Sequence, residues 1–317
     1  MLRRTFLVLA GCLALTMPSL AQSKITRIIV AFAPGGPVDS VARILGDQLG
    51  KELGRTVIVE NKPGANGAIG AQEVMKSAPD GSTIWITSVG AVAINPSLYE
   101  KLAYDMTRDF APVSMVVNNV EVLVINTTDK AKDAAEFVAN AKLTKETPMA
   151  SSGVGSIPHL AIEQLSDATG ASFLHVPYRG AAPALSDVMG GQVAGFFGDV
   201  PGLIGHVKGG KLRAVGVAAP TRHPALPDVK TFEEQGLKGI DTNNWYALFV
   251  SSKTSPDVVE SLNKAVRAVL TTSEVKAKLT AMGAEPAPST PAELAAVLKT
   301  DTEKWSALIK AKGIKGE

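Results

Sequence analysis

The sequence has a single cysteine, Cys12, and only four histidines among its 317 residues. One cysteine excludes a disulfide framework and any cysteine-rich zinc or iron–sulfur site, and the four histidines are too scattered to form an evident metal cluster. Aromatic residues make up only 5% of the chain, whereas 45% of the residues are hydrophobic and 20% are charged. This composition is typical of a globular protein, and it predicts neither a metal site nor a cofactor.

Long apolar runs are also missing, except at the N-terminus. Arg3 and Arg4 precede an almost entirely apolar segment over 5–17, and small residues follow up to Ala21. This layout predicts a secretory signal peptide over residues 1–21, because the apolar run is too short for a membrane-spanning helix. The paired arginines leave open whether export uses the general secretory route or the twin-arginine route.

Charge of one sign is lacking as well. The chain has 32 Lys and Arg against 30 Asp and Glu, and the excess of two comes entirely from Arg3 and Arg4. Nucleic-acid binders depend on an excess of Lys and Arg facing phosphates, so this balance excludes that class. The processed chain also has no cysteine, which suits an oxidising compartment. We therefore expect a soluble, monomeric periplasmic protein that has no nucleic-acid partner.

Short β-rich segments alternate with amphipathic helical segments along most of the chain. The first unit is a nearly continuous apolar strand over 25–32, a turn over 33–37 and a helix with apolar residues at helical spacing. Repetition of this unit predicts an α/β fold with mostly parallel sheets. The pattern also predicts two paired apolar runs over 113–117 and 120–125, and helices after residue 250.

The usual catalytic motifs are absent from the sequence, apart from Ser273-Glu274-Val275-Lys276, a chance match to Ser-x-x-Lys without its companion motifs. Two Gly- or Ser-rich turns between a strand and a helix are better candidates for function: Ala33-Pro34-Gly35-Gly36 and Ser151-Ser152-Gly153-Val154-Gly155-Ser156. Backbone N–H groups at a helix N-terminus carry partial positive charge and attract carboxylates. Either turn alone is equally consistent with a simple helix cap. As a pair, they predict a carboxylate bound between two halves of the protein.

Three polar side chains near such turns need separate interpretation. Asp199 follows a predicted strand over 193–197, and ligand sites open beyond the carboxyl ends of parallel strands. A carboxylate there favours an amine or hydroxyl at the far end of a ligand and disfavours a second bare carboxylate. Asp39 and His159 lie in the first turns of predicted helices, where hydrogen bonds within the turn are the simpler explanation.

The order of several motifs resembles that of the Bug receptors, the solute-binding proteins of tripartite tricarboxylate transporters. The resemblance covers the whole chain after the signal segment. The matching segments are Val30-Ala-Phe-Ala-Pro-Gly-Gly-Pro-Val-Asp39, Val59-Glu-Asn-Lys-Pro-Gly64, Ala78-Pro-Asp-Gly81, Ser151-Ser-Gly-Val-Gly-Ser-Ile-Pro-His159, His175-Val-Pro-Tyr-Arg-Gly-Ala-Ala-Pro-Ala184, Gly190-Gly-Gln-Val193, Lys208-Gly-Gly-Lys-Leu-Arg-Ala214, Leu226-Pro-Asp-Val229 and Met282-Gly-Ala-Glu-Pro286.

This resemblance implies a two-lobed periplasmic-binding-protein fold, similar to type 2, with a ligand cleft between the lobes. It implies a receptor without enzymatic activity that passes a small organic carboxylate to membrane permease subunits. The ligands of the family include mono-, di- and tricarboxylates, aromatic acids and acidic amino acids. The ligand-binding positions that the resemblance implies are Phe32, Ala33, Pro34, Gly35, Gly36, Ser88, Ser151, Ser152, Gly155, Ser156 and Asp199.

The lobes are expected over 22–122 plus 243–317 and over 123–242, because both turns must face one cleft. The chain departs from the pattern of the family at Phe197-Gly198-Asp199-Val200 and at Asn244-Trp245-Tyr246-Ala247. Both departures lie where selectivity is expected, so the identity of the ligand does not follow from the resemblance. A receptor that signals to a membrane sensor kinase and an exported enzyme for acidic substrates are the alternatives that the sequence leaves open.

Overall fold

The computed structural model describes residues 25–316, and the predicted signal peptide over 1–21 lies outside this range. Within the described residues the chain forms nine strands: β1 (Ile25–Val30), β2 (Thr56–Asn61), β3 (Thr83–Ser88), β4 (Phe110–Asn126), β5 (Thr147–Ser151), β6 (Phe173–Pro177), β7 (Gly195–Asp199), β8 (Leu212–Val217) and β9 (Asn243–Ser251).

Eleven α-helices lie between or after these strands in the same part of the chain. They are α1 (Pro37–Leu53), α2 (Ala68–Lys76), α3 (Asn95–Leu98), α4 (Met106–Asp109), α5 (Ala134–Ala141), α6 (Ile157–Thr169), α7 (Ala181–Met189), α8 (Val200–Lys208), α9 (Pro256–Thr271), α10 (Ser273–Ala281) and α11 (Pro291–Lys312). A π-helical turn over Gly90–Ile94 leads into α3. None of the helices within 25–316 has the length and apolar character needed to cross a membrane.

The strands form two sheets that share β4. In the first sheet the order is β2-β1-β3-β9-β4, with β1, β2 and β3 parallel and β9 antiparallel to its neighbours. In the second sheet β4 pairs with β7 and β8, and β5 lies parallel to β6 and β7. The prediction of an α/β fold with two lobes is confirmed. Each sheet contains a set of parallel strands.

Strand β4 carries the chain from one sheet into the other. Residues 110–120 pair with β9, whereas Glu121–Asn126 pair with β7 and β8. The sequence predicted two separate apolar runs here, over 113–117 and 120–125, but the structure has a single long strand. The two polar residues between the runs do not interrupt the strand. Asn118 pairs with Trp245 and Asn119 pairs with Asn244 on β9.

Apolar side chains cover both faces of each sheet. In the first sheet, α1, α9 and α10 pack on one face around Leu45 and Val266, and α2 and α11 pack on the other around Trp85 and Trp305. In the second sheet, α5 and α6 cover one face and α7 and α8 cover the other. Burial on both faces explains why the parallel strands read as continuous apolar runs.

Glycines bring α2 close to the first sheet. A Cβ on Gly67 would lie 2.8 Å from Cβ of Ala91, and a Cβ on Gly70 would lie 3.2 Å from Cα of Ala31. The Gly64–Gly70 segment is therefore a turn that allows close packing of α2 on the sheet. Asn66 does not cap α2, because it lies in the preceding turn and donates from Nδ2 to Oδ1 of Asn95.

Candidate functional site

The turn after β1 is held in shape by the buried carboxylate of Asp39. Its Oδ2 accepts a hydrogen bond from the backbone N–H of Gly35 at 2.9 Å, and Arg43 binds both carboxylate oxygens at 2.9 and 3.0 Å. Asn61 donates both to Oδ1 of Asp39 and to the carbonyl of Phe32. Burial raises the pKa of Asp39, but these hydrogen bonds outweigh it and hold the pKa below its ordinary value. Asp39 is therefore an ionised residue that holds the turn in shape. The N–H of Gly35 already donates to its carboxylate.

The same turn leaves the start of α1 without a side-chain cap. Gly36 is the N-cap residue and has no side chain to accept from the first N–H groups of the helix. Gly35 has a φ of 80°, and a Cβ added there would meet no atom within 4 Å. The backbone here is thus open to a small molecule and carries the positive end of a helix of 17 residues.

The serine-rich turn after β5 uses most of its polar groups internally. The hydroxyl of Ser151 lies 2.5 Å from Nε2 of His175 and accepts from the N–H of Gly153. The hydroxyl of Ser156 caps α6 and donates to the carbonyl of Gly153 at 2.7 Å, while the N–H of Gly155 donates to Nδ1 of His159. Ser151 and Ser156 were expected to offer hydroxyl or amide donors to a ligand, and in this structure their hydroxyls form hydrogen bonds within the turn.

Ser152 differs from its neighbours in the turn. It is half-buried, and its hydroxyl forms no hydrogen bond with any other residue in 25–316. Of the three serines in this turn, it is the one whose hydroxyl is not used in a hydrogen bond within 25–316. The remaining contribution of the turn is its backbone at the start of α6.

Two stacked imidazoles lie under the serine-rich turn. The rings of His159 and His175 are 3.6 Å apart between centroids and nearly parallel. Burial, together with the neighbouring His159, lowers the pKa of His175 to about 4, so His175 is neutral near pH 7. The contact between Ser151 and His175 has the distance of a nucleophile–base pair, but Ser151 is 0% exposed. The pair holds the serine-rich turn in shape.

Asp199 ends β7 and meets the first sheet through Tyr246. The hydroxyl of Tyr246 on β9 donates to Oδ2 of Asp199, and Ser88, the last residue of β3, lies opposite Tyr246 in the antiparallel ladder. Burial raises the pKa of Asp199 to about 6. Ser88 and Asp199, which come from different sheets, therefore border the same tyrosine.

Sequence reasoning missed Glu121, which lies directly opposite Asp199 in the pairing of β4 with β7. It is 0% exposed, and Nδ2 of Asn244 donates to its Oε1 at 3.2 Å. Burial, and then the charge of Asp199, raise the pKa of Glu121 well above its usual range. A lone carboxylate inside an apolar strand was the available signal. The two departures from the family pattern, around Asp199 and around Tyr246, contact each other here.

The predicted positions come together where the two sheets meet. In each sheet they follow neighbouring parallel strands at the carboxyl end, namely β1 with β3 and β5 with β7. A Cβ on Gly202, in α8, would lie 3.1 Å from Oδ1 of Asp199 and 3.3 Å from Cγ of Pro37, so the start of α1 borders Asp199. A Cβ on Gly155 would overlap the side chain of Leu98 in α3, which places the serine-rich turn against the first sheet's helices.

Comparison with known proteins identifies what this arrangement is similar to. A family model described as the tripartite tricarboxylate transporter family receptor matches residues 41–314. Protein BugT of Bordetella pertussis is 32% identical over 312 residues, which cover 98% of this chain and 96% of BugT.

Solved structures give the same picture of the fold. A structure described as a periplasmic transporter is 37% identical, with a TM-score of 0.86, and the match covers 93% of this chain and 99% of the other. MatC from Rhodopseudomonas palustris with bound malate is 31% identical, with a TM-score of 0.81, over 90% of this chain and 99% of MatC. Another R. palustris protein, with adipate, is 28% identical, with a TM-score of 0.87, over 93% and 99% of the two chains.

Proposed function

Because the chain belongs to the tripartite tricarboxylate transporter receptor family, we propose that it captures a small organic carboxylate in the periplasm and delivers it to the membrane permease of such a transporter. The family and the similar structures are solute-binding receptors and not enzymes. Related structures hold malate or adipate, which supports a carboxylate as the ligand of this chain.

One observation carries the proposal: the uncapped start of α1 lies beside the carboxyl end of β7, whose parallel neighbour β5 leads into the serine-rich turn. A ligand carboxylate there accepts backbone hydrogen bonds from the start of α1 and lies at the positive end of its helix dipole. The ligand-contacting positions remain those that the sequence predicted: Phe32, Ala33, Pro34, Gly35, Gly36, Ser88, Ser151, Ser152, Gly155, Ser156 and Asp199.

The lobes that enclose this ligand comprise residues 22–122 plus 243–317 and residues 123–242 in our proposal. The change of partner along β4 at Val120–Glu121 supports the first boundary. The start of β9 at Asn243, which pairs with β4 in the first sheet, supports the second. Helix α11 returns to the first lobe, where Trp305 joins the cluster around Trp85.

A thermal-shift screen with carboxylic acids and their primary amides tests the proposed function. The panel comprises mono-, di- and tricarboxylates and amino acids, each beside the amide of the same skeleton. We expect at least one acid to stabilise the protein, by about 2.7 kcal/mol at 100 times its Kd, and its amide to be without effect. Affinity should fall as the pH drops through the ligand's own pKa, because the helix terminus prefers the anion. Equal affinity for an acid and its amide would contradict the proposal.

Alanine at Gly35 separates ligand contact from backbone strain. Gly35 and Gly54 have φ values of 80° and 60°, and a Cβ at either position meets no atom within 4 Å. Left-handed backbone costs a non-glycine residue about 1–2 kcal/mol, so both substitutions should lower stability alike. Only Gly35→Ala should also weaken binding, by about tenfold in a calorimetric titration, because its methyl group occupies the approach to the backbone. Unchanged affinity in Gly35→Ala would place the ligand elsewhere.

A further inference from the structure

A polar cluster of three buried and two half-buried residues lies where β4 passes from one sheet to the other. We define it as Asn119, Glu121, Asp199, Asn244 and Tyr246. The strand ladders pair Asn119 with Asn244 and Glu121 with Asp199. Hydrogen bonds link Asn244 to Glu121 and Tyr246 to Asp199. The cluster therefore joins residues from both sheets at the proposed hinge of the two lobes.

Several atoms of this polar cluster have no hydrogen-bond partner. They are both amide atoms of Asn119, Oε2 of Glu121 and Oδ1 of Asn244. Asn119 and Glu121 are 0% exposed, so water in bulk does not satisfy them. An unpaired buried polar group costs about 1–3 kcal/mol, and native proteins contain few of them. Such a concentration at one place indicates that a partner from outside the chain completes the cluster.

The unpaired atoms specify the chemistry of that partner. Three of the four are oxygens, on Asn119, Glu121 and Asn244, and only one is a nitrogen donor. The partner must therefore supply mainly N–H or O–H groups. The side chain of Asn119 also faces the hydroxyl of Tyr246, whose proton goes to Asp199. The donors within the cluster are thus largely used, and its acceptors are in excess.

The carboxyl groups of the polar cluster narrow the choice of donor group on the partner. Within residues 25–316, no lysine, arginine or histidine forms an ion pair with Glu121 or Asp199. Burial raises the pKa of Asp199 to about 6, and burial together with the charge of Asp199 raises the pKa of Glu121 well above its usual range. A cation beside these carboxyl groups would lower both pKa values by stabilising the ionised forms, whereas another carboxylate would raise them more. An ammonium group is the donor that this environment stabilises most.

The polar cluster also borders the proposed carboxylate site. A Cβ placed on Gly202 would lie 3.1 Å from Oδ1 of Asp199 and 3.3 Å from Cγ of Pro37. Both atoms therefore lie close to the same point. Ser88 lies opposite Tyr246. A ligand whose carboxylate rests at the start of α1 can therefore reach the cluster with its other end. A short molecule suffices for this reach.

We propose, resting on the carboxylate-binding function above, that the ligand carries a hydrogen-bond donor at its far end, an ammonium group in preference to a hydroxyl, and that Glu121, Asn119 and Asn244 bind it. The ligand class is then small ω-amino or ω-hydroxy carboxylates, and dicarboxylates bind less well. This distinguishes the chain from the related proteins whose structures hold malate and adipate. Glu121, Asn119 and Asn244 become determinants of specificity.

Calorimetric titration with ligands that differ only at the far end tests this assignment. Butanoate, 4-hydroxybutanoate, 4-aminobutanoate and succinate form a four-carbon series, and hexanoate, 6-hydroxyhexanoate, 6-aminohexanoate and adipate form a six-carbon series. In the series that binds, we expect the ω-amino acid to bind at least tenfold more tightly than the dicarboxylate, with the hydroxy acid between them. A dicarboxylate that binds as well as or better than the ω-amino acid would overturn the inference and leave the carboxylate-binding function standing. Absence of binding by every member would contradict both.

Substitution of Glu121 tests the charge in the cluster directly. Glu121→Gln keeps the size of the side chain and removes its charge, so the ratio of ω-amino acid to dicarboxylate affinity should fall at least tenfold. Glu260→Gln is the matched control, because Glu260 is an exposed residue of α9, and it should leave the ratio unchanged. A ratio in Glu121→Gln equal to that of the control would overturn the inference.

Asn119 offers a second variant with two opposite readouts. Asn119→Leu removes two unpaired buried atoms, so the melting temperature without ligand should stay the same or rise. Affinity for the ω-amino acid should nevertheless fall at least tenfold. A merely structural role for Asn119 would give the reverse, with lower stability and unchanged affinity, and would overturn its assignment to the ligand.

Discussion

Replacing Gly155 by valine is expected to lower ligand affinity by about 10- to 100-fold in a protein that still folds. A side chain at Gly155 would overlap Leu98, with the new Cβ only 2.9 Å from Cδ1 of Leu98. Leu98 belongs to α3 in the first proposed lobe, and Gly155 belongs to the serine-rich turn of the second. Overpacking costs about 1–3 kcal/mol, and here it makes the approach of the two proposed lobes to each other less favourable.

The control for Gly155→Val must carry the same backbone strain without the clash. Gly170, the C-cap residue of α6, has a φ of 68° against 71° for Gly155, and a Cβ there meets no atom within 4 Å. Gly170→Val should therefore lose stability through the left-handed backbone alone and keep its affinity. Calorimetric titration of both variants with one confirmed ligand makes the comparison. Equal affinities in the two variants would show that the contact with Leu98 is not part of the bound state.

A second substitution locates the effect at Leu98. The three atoms nearest to a new Cβ at Gly155 all belong to Leu98. In the double variant Gly155→Ala/Leu98→Ala the clash disappears, so affinity should recover relative to Gly155→Ala alone. Leu98→Ala alone fixes the cost of losing the leucine, and the double-mutant cycle then isolates the coupling between the two positions.

Much of the fold follows from periodicity in the sequence. The first strand was predicted over 25–32 from its apolar run, and the structure has it over 25–30. The helix that begins at Pro37 was predicted from apolar spacing and from proline in its first turn. The glycine turns at 35 and 155 were also visible, because positive φ angles require glycine there. These features depend on neighbouring residues along the chain, which a single sequence displays.

The parts of the site that were missed depend on pairing between distant residues. Glu121 becomes a partner of Asp199 only through the register of β4 with β7, and Asn244 reaches Glu121 only through β9. No local pattern fixes those registers. The hydrogen bonds of the serine hydroxyls within the turn could not be predicted for a related reason. His175, whose Nε2 contacts the hydroxyl of Ser151, lies on another strand. Its distance from Ser151 is set by the pairing of β5 with β6.

Removing the carboxylate of Asp39 should cost about 2–4 kcal/mol of folding stability and weaken ligand binding together. Asp39 is 3% exposed and accepts hydrogen bonds from Gly35, Arg43 and Asn61. Asp39→Ala leaves the N–H of Gly35 and the amide of Asn61 without this partner, so the turn loses the contacts that fix its shape. Urea denaturation measures the stability, and titration with a confirmed ligand measures the affinity.

The pH dependence of the same variant identifies the ionised carboxylate as the cause. The pKa of Asp39 is lower in the folded protein than its ordinary value of 3.8, so its stabilisation is complete above that value. It is lost as the pH falls through the lower, folded pKa, where the native carboxylate takes up a proton. The difference in stability between the parent protein and Asp39→Ala should therefore be constant near neutral pH and shrink in acid. Asp47→Ala is the control, because Asp47 is exposed on the same helix and has only a 3.9 Å ion pair with Lys51 and an exposed hydrogen bond from Gln48. If Asp39→Ala is as stable as Asp47→Ala near pH 7, the carboxylate of Asp39 does not hold the turn, and the shape of the anion site has another origin.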